Sequence, residues 1–208
     1  MQRSNARWLC GAVVLAAGCA TTTAFTTTWK NPETGPVRLD GQTVVVLVMS
    51  TQETMRRAAE DTIAAQITAR GARGVASWTI LPTADMQNEE KTRAAFAQAG
   101  AVAVVTMEIV GQGRDQRSSS FVFSTGMGSS RSFWSHYRWG WQSTWHSGPP
   151  PSTNVVVETL VHSLQPDALL WGGRSRSVNP RSVSGLFSEL ANAAAREIEQ
   201  AGLLAGPR

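Results

Sequence analysis

Thr43-Val44-Val45-Val46-Leu47-Val48-Met49 is an unbroken apolar run built mainly from β-branched residues. Branched side chains are stiff at the first torsion and fit a pleated strand better than a helix. A strand without polar alternation has no face to offer to water, so it must be covered on both sides. A helix follows it. Ser50 and Glu53 are spaced as a capping box, and Met55, Ala59, Ile63 and Ile67 recur every fourth residue as an inward stripe. Arg56, Arg57, Glu60 and Asp61 read as the solvated side of that helix, and Gly71 as its stop.

Val75 to Leu81 reads as a second strand, ended by Pro82. Glu89 to Gln98 reads as a second helix with Ala95, Phe96 and Ala99 inward, and Ala101 to Met107, running on towards Val110, as a third strand. Strand, helix, strand, helix, strand implies parallel pairing through right-handed crossovers. Val155–Ser163 and Ala168–Gly173 flank the turn Gln165-Pro166-Asp167, an antiparallel hairpin signal. A last helix spans roughly Arg181 to Ala201, with Val183, Phe187, Leu190, Ala194 and Ile198 on one face. The expected class is α/β (α+β): one domain, a mixed sheet built as β-α-β-α-β, then an antiparallel hairpin and a C-terminal helix.

The beginning of the chain has another logic. Arg3 and Arg7 precede an apolar stretch from Trp8 to Ala17, and Leu15-Ala16-Ala17-Gly18-Cys19 closes it. A cationic start, a short apolar middle and small residues are the layout of a secretory signal peptide. The stretch is too short for the roughly 20 apolar residues of a spanning helix. The cysteine after the small residues resembles the lipobox of bacterial lipoproteins, which implies a lipidated Cys19 as the mature amino terminus. Ala20 stands where inner-membrane lipoproteins carry an aspartate, so the resemblance implies the periplasmic face of the outer membrane. The organisation expected is a signal peptide over 1–18, a flexible tether over 19–41 and a domain over 42–205. That domain contains a Ser-, Gly- and aromatic-rich insert at 111–154.

Of 208 residues, 190 remain after cleavage, enough for one sizeable core. The formal charge of +4 falls to +2 once Arg3 and Arg7 leave with the signal peptide, and no basic run suggests nucleic acid. Cys10 leaves as well and Cys19 takes lipid, so no disulfide is expected and packing must supply the stability.

Phe133-Trp134-Ser135-His136-Tyr137-Arg138-Trp139-Gly140-Trp141-Gln142-Ser143-Thr144-Trp145-His146 holds four of the eight tryptophans. Read with period two, Phe133, Tyr137, Trp139, Trp141 and Trp145 share one face of a ribbon. Such a face can stack on sugar rings, dip into a membrane interface or anchor a protein partner; equally, it can be an ordinary strand covering the sheet. His136 and His146 stand too far apart on one straight strand to share a metal; a hairpin between them could close the gap, but no acidic residue or cysteine lies nearby to complete a shell, so no metal and no cofactor are expected. No nucleophile elbow and no complete dinucleotide loop is present. A non-catalytic binding module is expected. The alternatives are a hydrolase using His136 or His146, and a structural subunit of a secretion assembly.

The opening Val44 to Arg70, the ending Leu169-Leu170-Trp171-Gly172-Gly173-Arg174-Ser175, and Asn179-Pro180 before a helix closing Ala201-Gly202-Leu203 resemble uncharacterised bacterial cell-envelope lipoproteins. The layout is similar to the α/β domains of the TolB amino-terminal region and of the curli-secretion lipoprotein CsgG. That resemblance implies a non-catalytic interaction or assembly module, held to the membrane by its lipid and meeting an envelope protein or glycan.

Overall fold

The computed structural model describes residues 22–113, 132–141, 154–180 and 182–206. The segment read as a signal peptide, Cys19, Trp145 and His146 lie outside the described residues. The elements in order are β1 (Thr22–Lys30), β2 (Thr43–Val48), α1 (Glu53–Thr68), β3 (Arg73–Ala76), α2 (Glu89–Gln98), β4 (Ala101–Gly113), α3 (Phe133–Gly140), β5 (Asn154–Leu164), β6 (Asp167–Val178) and α4 (Val183–Gln200). Two 3-10 turns, Ser77–Thr79 and Thr83–Asp85, lie between β3 and α2.

The strands form one six-stranded sheet in the order β1-β6-β5-β4-β2-β3. β2 pairs parallel with β3 and with β4, whereas β4–β5, β5–β6 and β6–β1 are antiparallel. The apolar run of β2 lies at the centre of the parallel half and is fully buried, as its composition requires. Val44, Val46 and Val48 enter one core with α1 and α4, through Ile63, Ile67, Leu190 and Ile198. Val45, Leu47 and Met49 enter a second core with Phe96 of α2 and Phe133, Trp134 and Tyr137 of α3. Each such side chain taken out of water contributes roughly 1.5–3 kcal/mol.

Five expectations are corrected. The segment read as a flexible tether contains β1, paired along its length with β6, so residues 22–30 belong to the sheet and not to a tether. Threonines are good strand formers, and Phe25 packs on Trp171 with ring centroids 5.7 Å apart. No capping box forms at α1: its N-cap is Gln52, with no side-chain cap, and Ser50 Oγ accepts from the Gln52 N–H at 3.2 Å instead.

The charges of α1 do not all face solvent, since Arg56 and Glu60 are 1% and 0% exposed. The Glu60 carboxylate accepts from the Val48 N–H (3.1 Å), the Ser77 hydroxyl (2.8 Å) and the Trp78 N–H (3.0 Å), with Arg56 Nη1 at 3.4 Å. Burial raises the Glu60 pKa, opposed by these hydrogen bonds and by Arg56. The same contacts shorten the second strand. It stops at Ala76 because the carboxylate captures the Trp78 N–H and the chain turns over Ser77–Thr79. The fifth correction, the aromatic ribbon, defines the site below.

Candidate functional site

The stretch read as a strand is the helix α3. Ser132 caps it, accepting from the Ser135 N–H at 3.3 Å. Asp167, at the hairpin turn, holds the same end: it accepts from Ser132 Oγ and from the Phe133 N–H, both at 2.6 Å. A carboxylate at a helix N-terminus is favoured by the dipole and satisfies an otherwise orphaned donor. Helical spacing then brings Phe133, Trp134, Tyr137 and Trp141 onto one side. The first three are buried, and Trp141 meets Tyr137 edge-on at 6.2 Å. The Tyr137 hydroxyl donates to the Met86 carbonyl and lies 2.8 Å from that of Thr92, and burial pushes its pKa up.

The five residues assigned to one face are therefore divided. Phe133 and Tyr137 belong to the core, Trp141 is half-buried, Trp139 is 62% exposed, and Trp145 lies outside the described residues. Beside Trp139, Arg138 reaches Glu89 Oε2 at 3.0 Å. Glu89 also holds Arg93, whose guanidinium lies 3.8 Å above the Trp134 ring. The hydrogen bonds from Arg93 and Arg138 lower the Glu89 pKa against its partial desolvation.

His136 stacks on His162 with ring centroids 5.8 Å apart, and Phe133 meets His162 at the same separation. His162 is fully buried. His136 Nε2 is buried with no hydrogen-bond partner among the described residues, and burial drives its pKa down to about 4. His136 is thus a neutral ring in a packed aromatic layer near pH 7. Among the described residues, no group of three or more His, Cys, Asp or Glu could hold a metal ion.

Sequence reasoning missed a polar row across the antiparallel strands. Glu108, Glu158 and Arg174 are direct cross-strand neighbours on β4, β5 and β6. Arg174 Nη2 lies 4.0 Å from Glu158 Oε1. Burial pushes the Glu158 carboxyl up to about 7, with Arg174 opposing the rise and Glu108 adding to it. Charges inside otherwise apolar strands were the signal, but only the strand register brings them together. On the opposite face, a groove of about 570 Å³ runs between α1 and α4, lined by Gln52, Met55, Ala58, Thr62, Phe187 and Ser188.

These features define a single-domain α/β protein with a six-stranded mixed sheet. No protein-family model matches the chain, and no curated protein is similar to it. Similar solved structures include two crystal forms of the PelC dodecamer from Paraburkholderia phytofirmans, one of them a point variant. The variant has a TM-score of 0.46 and 13% identity, over 89% of this chain and 99% of that one. The other form gives 0.46 and 13%, over 88% and 98%. No residue role is taken from so distant a likeness.

Proposed function

We propose that the chain is a lipid-anchored lipoprotein of the bacterial cell envelope, acting as a non-catalytic binding or assembly module on the periplasmic face of the outer membrane. One observation carries the reading: the arginine-led apolar stretch that ends in Leu15-Ala16-Ala17-Gly18-Cys19, a few residues before the first strand. Export and acylation account for that order of residues. The binding role is supported by Trp139, a large aromatic held outward on a helix whose other aromatics are locked into the core. Aromatic side chains on rigid supports are favoured anchors for partners.

Metabolic labelling with a palmitate analogue tests the anchor: the wild-type chain takes up label and Cys19→Ser does not. Unlabelled wild type, or equal labelling of both, would overturn it. Trp139→Ala tests the contact. It is expected to weaken association with the envelope surface that the ring meets several-fold while leaving the unfolding midpoint unchanged, because so exposed a ring contributes little to the core.

A further inference from the structure

The strands β1, β6, β5 and β4 end together. Thr22 pairs with Val178, Val178 with Asn154, and Asn154 with Gly113, so these four residues form one row at one end of the sheet. Only Ala20 and Thr21 separate Cys19 from this row. Three residue steps extend at most about 11 Å, whereas the tether expected from sequence would have reached several times further. If Cys19 carries acyl chains, the row cannot leave the neighbourhood of the lipid headgroups.

The surface at that end suits such a place. Val178 and Val110 are exposed at 42% and 38%, two of the four exposed large apolar side chains among the described residues. Arg176, also exposed, lies two residues before Val178 and alternates onto the same face of the sheet. Trp139 occupies the last turn of α3, which passes over Glu108: a Cβ on Gly140 would lie 3.8 Å from Glu108 Oε2. Glu108 stands four residue pairs from the row, roughly 13 Å along the strands. Tryptophan is enriched at headgroup level, where its ring meets both apolar and polar surroundings. Arginine can bury its stem there while its charge stays wet. Two acidic groups nearby are engaged: Glu189 accepts from Thr23 Oγ1 at 3.2 Å, and Glu158 faces Arg174.

We propose that this end of the sheet lies against the phospholipid surface that holds Cys19, tipped so that Val178, Arg176 and Trp139 enter the headgroup layer. The partner of the Trp139 surface is then the membrane itself. This rests on the lipid-anchor reading above and goes beyond it by fixing the domain's orientation.

The test uses the full chain, expressed with its leader and purified in detergent, with intact mass reporting acylation of Cys19. A single thiol is introduced by Trp139→Cys, Val178→Cys or, as the control, Gln98→Cys, beside the opposite end of β4. Each is labelled with an environment-sensitive fluorophore and reconstituted into vesicles of phosphatidylethanolamine and phosphatidylglycerol containing headgroup-level spin-labelled lipid. Quenching at 139 and 178 is expected to exceed that at 98 by several-fold. Acylated protein with equal quenching at all three sites overturns the orientation while the anchor stands. So does quenching at 178 without quenching at 139, which leaves Trp139 to a protein or glycan partner. A mass without acyl chains overturns the anchor, and the orientation with it.

Discussion

Glu60→Gln is the most demanding test of how this fold is held together. The carboxylate sits in no solvent and serves four donors on three elements: Val48 of β2, Ser77 and Trp78 after β3, and Arg56 one turn earlier on α1. The amide keeps the shape but can accept at one atom only. Its NH2 group faces donors, and Arg56 becomes a buried charge without a counter-charge. Arg56 Nη2 keeps its 3.1 Å contact with Thr83 Oγ1, which carries no charge. Breaking a buried ion pair from one side costs about 3–5 kcal/mol, and a buried N–H left unsatisfied costs about 1–3 kcal/mol. The expected loss is about 4 kcal/mol, since the two effects overlap and the site can relax.

At about 2–4 °C per kcal/mol for a domain of this size, the midpoint falls by roughly 8–16 °C. Arg56→Met should cost less, because Glu60 keeps three neutral donors and can take up a proton. Its penalty should also shrink in acid, as burial has already raised the Glu60 pKa. The assay is urea unfolding followed by tryptophan fluorescence, with the slope m checked for constancy. A loss below about 1 kcal/mol for Glu60→Gln, or a larger loss for Arg56→Met, would refute the reasoning, since exposed pairs behave in that way.

Glu158→Gln tests the polar row. A carboxyl whose folded pKa is raised from 4.5 to about 7 stabilises fully below pH 4.5 and loses that contribution as pH rises towards 7. The variant should match wild type near pH 4.5 and exceed it by up to roughly 3 kcal/mol at pH 8, at about 1.4 kcal/mol per pKa unit; unfolding curves across that range with a constant difference would count against it. Gly74→Ala should destabilise by about 1–3 kcal/mol through overpacking, because its Cβ would sit 2.2 Å from the Ala64 carbonyl oxygen of α1; an unchanged midpoint in thermal unfolding would contradict so close an approach. Phe133→Ala should cost about 3–5 kcal/mol as a core truncation, in contrast to the near-neutral Trp139→Ala, and equal effects in the same unfolding assay would put both rings in one environment.

The parts legible in the sequence are those decided by local pattern. The continuous valine run of β2 demanded two covered faces, and the structure alternates Val44, Val46 and Val48 to one core and Val45, Leu47 and Met49 to the other. The stripe of α1, the extent of α2 and the β5–β6 hairpin follow from periodicity and turn residues in the same way. What escaped depends on distant partners. β1 looks like a polar leader until β6 offers it a ladder. Arg56 and Glu60 look solvated until the turn at Ser77 closes over them. The aromatic stretch fits two periods, and a short run cannot decide between them. Asp167, 34 residues away in sequence, tips the balance by fixing the helix start. Period two put Tyr137 and Trp139 on one face, whereas about 100° per residue turns them roughly 200° apart.

That rotation joins two readings that seemed to compete. The second face of β2 and β4 needs an apolar cover as much as the first, and the short α2 supplies only Phe96 and its neighbours. α3 completes that cover with Phe133, Trp134 and Tyr137, so these three aromatics are part of the core. A helix docked by one side must present its other side to the surroundings, and there Arg138 and Trp139 are found. Core packing and the outward exposure of Trp139 are therefore successive consequences of one helix. The packed side fixes the backbone on which Trp139 stands, so the exposed ring is held on a rigid support. The same docking directs the last turn of α3 towards the sheet end from which the chain runs back to Cys19.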